Sequence, residues 1–228
     1  PYICPIAIAT MVIGSIGALS NPSLRGMAGN LVIVSIGTLL LAFALRTPEA
    51  TAAAFYYLLH STLATAVLFL VADMIGLQRG KAVDRFVVTR KLRNQVFLGV
   101  CFFITAMAVA GLPPFSGFLG KLVVLQAAVT IDEKAIVYAS LLISSLVTIV
   151  AFSRAGTTIF MRHAPTKDVS DTPAVSQWQI AGTMYLLAAI PLLSIAGASV
   201  LNLTELAASS LHDVQSIIDI MGLERGEP

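Results

Sequence analysis

Along most of the chain, apolar residues run in long stretches cut at intervals by short polar and charged patches. A helix needs about 20 apolar residues to cross the roughly 30 Å of bilayer hydrocarbon. Six stretches qualify, near residues 3–19, 28–45, 52–76, 96–126, 135–161 and 178–202. The fourth is too long for one straight crossing. It contains Gly111, Pro113, Pro114 and Gly117, and adjacent prolines remove two backbone donors and clash with the preceding turn. The span is therefore expected to break there and resume with Lys121 on its second half. After Asn202 the pattern changes: Leu206, Ser210, Leu211, Val214, Ile217, Ile218 and Met221 recur at helical spacing opposite Glu205, His212, Asp213 and Asp219. This predicts an amphipathic helix lying along the interface or against a partner subunit, its acidic face favouring protein over anionic lipid. The expected organisation is all-α and polytopic, with a transmembrane region over 1–203 and an amphipathic helix and tail over 204–228.

Composition supports a membrane protein, since 57% of residues are apolar, 11% charged, and the mean hydropathy is +0.88. The formal charge of +2 is small and the basic residues fall in connections rather than along one stripe, which argues against a nucleic-acid partner. Cys4 and Cys101 lie in apolar stretches and imply neither a disulfide nor a metal site. No zinc spacing, phosphate-binding glycine loop or nucleophile constellation is present, so no cofactor and no soluble active site is expected. The chain opens Pro-Tyr-Ile-Cys, without Met, a charged leader region or a cleavage site; the first run is not read as a signal peptide, and the start looks like that of a fragment.

Charge alternates between connections. Those after the first, third and fifth spans hold Arg25, then Arg79, Lys81, Arg85, Arg90, Lys91 and Arg93, then Arg162 and Lys167; the opposite side has Arg46, Lys134 and Arg225. By the positive-inside rule the first set is cytoplasmic and both chain ends lie outside, with Trp178 and Tyr138 as belt aromatics near span ends. The basic loop from Gly80 to Arg93 could attract anionic lipid or an acidic partner, although topology alone places charge there.

His60, Asp73, Lys121 and Arg154 are the ionisable groups left inside the spans. An ammonium at the membrane midplane costs on the order of 3 kcal/mol unless it faces protein, water or a partner, so an intramembrane Lys121 suggests an ion path. The alternative is a side chain snorkelling to a helix end, which its place well inside the span disfavours. His60 suits a proton relay because imidazole loads and unloads near neutral pH; the plainer account is a neutral ring bonded to a neighbouring helix. Ser61, Thr62 and Thr65 bring hydroxyls close to it, either to hold water or to bond back to their own helix. Asp73 has a basic loop nearby to pair with, and Arg154 lies within snorkelling reach of the cytoplasmic side; both are accessory candidates. His163 and His212 read as surface residues.

Three stretches carry a family likeness: Phe-Tyr-Tyr-Leu-Leu-His-Ser-Thr-Leu-Ala-Thr-Ala from Phe55, Phe-Leu-Val-Ala-Asp from Phe69, and Ala-Gly-Leu-Pro-Pro-Phe-Ser-Gly-Phe-Leu-Gly-Lys from Ala110. The chain resembles the antiporter-like subunits shared by multisubunit Mrp cation/proton antiporters and the proton-pumping arm of respiratory complex I. The first two stretches, and Ser-Arg-Ala-Gly from Ser153, lean toward Mrp D-type subunits. The connection from Asn21 to Asn30 departs from the family's basic, hydroxyl-rich pattern, with Leu24 and Arg25 fitting best. The resemblance implies a fold of about fourteen helices with two inverted repeats, of which these spans match the last six. It puts His60 on the family's intramembrane histidine and Lys121 on the charged residue of a broken helix.

The expected function is that of a membrane subunit of a multisubunit Na⁺/H⁺ antiporter in the bacterial inner membrane. Its partners would be other subunits, protons, Na⁺ and membrane lipids, and it would be a transporter rather than an enzyme. Two other readings stand beside it: a proton-translocating subunit of a complex I-like oxidoreductase or related hydrogenase, and a non-conducting assembly scaffold.

Overall fold

The computed structural model describes residues 2–89, 91–129, 134–162 and 175–213. The described chain is a bundle of helices, with one isolated antiparallel bridge between Ser23 and Arg85. The helices are α1 (Ile3–Ser20), α2 (Leu24–Ala44), α3 (Pro48–Gln78), α4 (Gln95–Ala110), α5 (Ser116–Ala127), α6 (Lys134–Gly156, continued by a π-helical turn, Thr157–Met161), α7 (Gln177–Ile195) and α8 (Gly197–His212). Five are long and apolar enough to cross a membrane: α1, α2, α3, α6 with its π turn, and α7. The pair α4 and α5 makes the sixth crossing, interrupted between Ala110 and Ser116 as the prolines predict.

Local chemistry moved several boundaries. α2 starts at Leu24 rather than near residue 28 because Ser23 accepts from the Gly26 N–H at 3.1 Å, while its own N–H donates to Asn21. Arg25 therefore lies in the first helical turn, where its N–H donates to the Asp84 carboxylate at 2.7 Å. α3 is longer than expected, since Thr47 caps it, Pro48 occupies its first turn and the helix continues to Gln78. The sixth span stops at Ile195, short of residue 202, because the carbonyl of Leu193 accepts from the Tyr56 hydroxyl at 3.1 Å and Pro191 weakens the preceding turn. The expected domain boundary at 203/204 thus falls inside α8, and Val214, Ile217, Ile218, Asp219 and Met221 lie outside the described residues. So do Arg90, His163, Lys167 and Arg225.

α3 is the central element and packs against α2, α4, α5, α7 and α8. A large apolar cluster built on Leu24, Leu68, Met74, Phe102, Phe152 and Ile190 fills one part of the bundle; a smaller one with Ala7, Leu41, Ala53, Ala128 and Val137 fills the other end. The end carrying the basic connections is knit together: Leu24 N–H donates to Asp84 O, Phe86 N–H to Pro22 O, and the Gln95 amide to Phe160 O. Arg79 is 4% exposed and gives its guanidinium to Thr89 and to the carbonyls of Val83, Arg85 and Val87, folding the basic loop onto the end of α3. The described parts of the basic connections, with Arg25, Arg79, Lys81, Arg85 and Arg162, therefore share one end of the bundle, the geometry that the alternating charge requires.

Candidate functional site

At the centre of the bundle α4 ends on Gly111, which adopts φ +81°, a left-handed conformation open to glycine and strained for other residues. The Pro113–Pro114 peptide is cis, and α5 restarts at Ser116. The break frees the last carbonyls of α4, which must find donors in a region without bulk water. The N–H groups of Gly111 and Leu112 reach Met107 O and Ala108 O, and a titratable side chain supplies the last two carbonyls. Lys121, one turn and more into α5, folds back so that its ammonium donates to Ala110 O at 2.9 Å and Val109 O at 3.4 Å. Its third donor goes to Ser145 Oγ on α6, at 2.8 Å. A cation at the carboxyl end of a helix is also favoured by the helix dipole.

His60 of α3 approaches the same helix end from the other side. It is 2% exposed, with Nδ1 2.9 Å from Ser116 Oγ, and its Nε2 edge lies beside the Ala108 carbonyl where both crowd Gly117. A Cβ on Gly117 would overlap the Ala108 carbonyl oxygen and come within 2.6 Å of His60 Nε2, so only glycine lets the three elements meet here. Nδ1 of His60 and the Ser116 hydroxyl exchange one hydrogen bond, either group able to donate according to the tautomer. Lys121 thus holds the last two carbonyls of α4, and His60 packs beside the one before them.

Each faces a different space. Lys121 and Ser145 are the polar groups in an open groove of about 280 Å³ between the broken helix and α6, with Leu112, Leu122 and Leu142 on its walls. His60 borders a cavity of about 10 Å³ with Ser35, Tyr57, Ser61 and Thr65, about the volume that holds one water molecule. Ser35, Ser61 and Thr65 also line a surface groove between α2 and α3. Ser61 and Thr62 donate to the Leu58 carbonyl of their own helix, at 3.1 and 2.8 Å.

Asp73 and Arg154 lie away from this centre, toward the basic end. Asp73 pairs with Arg25 of α2 and accepts from Gln179 of α7 at 3.1 Å, tying three helices together. Arg154 donates to Asn21 O at 2.8 Å and Ala18 O at 3.4 Å at the end of α1, and lies 5.0 Å over the Phe86 ring. His212, though exposed, reaches Thr51 Oγ1 at 3.0 Å. Sequence reasoning missed Ser116, Ser145 and Tyr56 as partners. Ser116 lay within the flagged motif, but a serine two dozen positions beyond Lys121 carries no local signal.

The family described as NADH:quinone oxidoreductase/Mrp antiporter, TM, matches residues 1–148. The D-type component of a Na⁺/H⁺ antiporter from Bacillus subtilis strain 168 is 30% identical over 190 residues, covering 83% of this chain and 37% of that protein. Among solved structures, the Mrp complex from Dietzia sp. DQ12-45-1b aligns over 96% of this chain and 49% of the matched one, with TM-score 0.82 and 26% identity. The archaeal membrane-bound sulfane sulfur reductase, a respiratory membrane complex, shares the fold with TM-score 0.81 and 21% identity, over 95% of this chain and 43% of that one. The chain thus spans less than half the length of these relatives. With its apolar helices and this likeness to components of bacterial Mrp complexes, it is a multi-pass membrane protein, and it belongs to the NADH:quinone oxidoreductase/Mrp antiporter transmembrane family.

Proposed function

We propose that this chain is the C-terminal part of a membrane subunit of a multisubunit Na⁺/H⁺ antiporter, where Lys121 and His60 are consecutive members of an intramembrane proton path. The observation that carries the reading is their convergence on one helix end, with Val109 and Ala110 bonded to Lys121 and His60 packed beside Ala108 and bonded to Ser116. Each titratable group also has a serine as neighbour, and a hydroxyl both donates and accepts. For Nδ1 of His60 to carry a proton, the Ser116 hydroxyl turns from donor to acceptor. For Lys121 to release one, Ser145 turns the other way and donates to the amine. Loading or unloading of each group therefore needs only rotation of its own neighbouring hydroxyl.

The complex I-like reading stays as the second one, since the family description covers both. Identity of 26–30% to Mrp proteins against 21% to the respiratory complex favours the antiporter. Other Mrp-type subunits are the expected partners, the bilayer its surroundings, and the stretch beyond residue 203 an interfacial helix and tail.

The test is Na⁺-driven proton flux in vesicles carrying the complete complex, with assembly checked on native gels. Lys121→Ala is expected to abolish exchange, and Lys121→Arg to fail to restore it, because a guanidinium stays charged and cannot pass a proton on. His60→Ala should slow exchange less completely. Wild-type exchange in assembled Lys121→Ala complexes would make Lys121 structural and favour the scaffold reading.

A further inference from the structure

The outer face of α6, near its basic end, carries a groove of about 490 Å³ that is separate from the His60 and Lys121 centre. Its walls change character along the helix. Ile149 and Val150 line the part nearer the middle of the bundle, followed by Ser153 and Arg154, then by Thr157 and Thr158 in the π-helical turn, and finally by Arg162 just beyond it. Such four-residue spacing keeps side chains on one helix face, over about 20 Å from Ile149 to Arg162 at 1.5 Å per residue. In a regular α-helix two residues eight apart drift by ~80° after two turns. The wider π turn takes more residues per turn and offsets that drift, bringing Arg154 and Arg162 to the same groove.

The donors here are not used up. Arg154 commits its Nη2 to Ala18 O and Asn21 O, and its Nε and Nη1 make no hydrogen bond among the described residues. Arg162 and the hydroxyls of Ser153 and Thr157 likewise have no partner among the described residues. Thr158 donates to Arg154 O at 2.9 Å. Two guanidinium groups and two free hydroxyls thus face one space, with an apolar wall on a single side.

The geometry points to a binding site for an anionic phospholipid, its phosphodiester held by Arg154, Arg162, Ser153 and Thr157 and an acyl chain laid along Ile149 and Val150. Guanidinium groups match phosphate oxygens in shape and charge. The groove lies at the end of the bundle where the basic connections gather, the level at which headgroups sit. Toward the bundle's middle the same helix exposes Ile143 and Leu146, 60% and 61% exposed, so the apolar wall continues where hydrocarbon lies. A free phosphate ion would make no use of that wall.

The test uses the complete complex, delipidated in detergent and titrated with fluorescent phosphatidylglycerol. Unlabelled phosphatidylglycerol should compete, phosphatidylcholine more weakly, and inorganic phosphate not at all. Arg162→Gln, which removes no contact among the described residues, should weaken binding about tenfold. The Arg154→Gln/Arg162→Gln pair should abolish it, and Lys81→Gln should leave it unchanged. Wild-type affinity in Arg162→Gln overturns the proposal, as does competition by inorganic phosphate equal to that of the lipid. A structure of the whole complex with polypeptide in the groove overturns it too.

Discussion

Gly117→Ala adds one methyl group at the point where three elements converge. The new Cβ overlaps the Ala108 carbonyl oxygen, a backbone atom that cannot swing away, and comes within 2.6 Å of His60 Nε2. α5 is pushed off the end of α4, and the imidazole is pushed from its place against Ser116. Overpacking of this kind costs about 1–3 kcal/mol, and an unpaired buried ring nitrogen adds about 1–3 kcal/mol. Alanine's better helix propensity returns at most about 1 kcal/mol. The central net loss is on the order of 3 kcal/mol. Every 1.4 kcal/mol of misplacement in the transfer step is a factor of about ten in rate. Proton flux by the assembled complex should therefore fall at least tenfold, measured as dye-quench recovery on Na⁺ addition to everted vesicles, and the complex should lose activity at a lower temperature than wild type. Gly182→Ala is the matched control, since a Cβ there meets nothing within 4 Å. Assembled Gly117→Ala complexes exchanging at the rate of Gly182→Ala would refute the close packing of His60 against the helix break as a functional requirement.

Ser116→Ala leaves His60 Nδ1 without its hydrogen-bond partner and should slow flux several-fold while Ser116→Thr, which keeps the hydroxyl, recovers part of it; equal rates for the two would show that the hydroxyl is not used. Asp73→Asn removes the charge from a pair whose members are each 42% exposed, so stability should fall by no more than about 1 kcal/mol in chemical denaturation, with transport nearly unchanged. A cysteine at Lys81, in a background lacking Cys4 and Cys101, should react with a membrane-impermeant maleimide in everted vesicles and not in intact cells; the reverse pattern would invert the assigned sidedness.

Much of the arrangement was legible in the sequence because the bilayer imposes a simple rule on it. The spans follow from apolar length, the break from Pro113 and Pro114, and the clustering of basic connections from their alternation. His60 and Lys121 stood out because charge or titratable nitrogen in an apolar stretch is rare. What the sequence left unread were the partners. Ser145 and Ala108 are ordinary residues whose importance comes from where α6 and the end of α4 are packed. Asp73 was expected to pair within reach of its own loop, and its partner Arg25 comes from the first turn of α2, 48 positions away. The end of the sixth span was misplaced because Leu193 gives its carbonyl to Tyr56, a contact between residues 137 positions apart. Hydropathy reads what lipid demands of one segment; it is silent on which segments meet.

The backbone pairing of Pro22, Ser23 and Leu24 with Asp84, Arg85 and Phe86 has a mechanical consequence. It fastens the α1–α2 hairpin to the loop after α3 by backbone bonds at the basic end, and the Arg25–Asp73 pair reinforces the same corner. At the far end the hairpin is held by side-chain packing, with Leu41 among the small side chains of Ala7, Ala42, Ala53 and Ala54 and the Phe43 ring edge-on to Phe55 of α3 at 6.0 Å between centroids. The two ends of the hairpin are therefore secured by different chemistry, backbone hydrogen bonds and an ion pair at the basic corner and apolar contact where the start of α1, the end of α2 and the start of α3 come together.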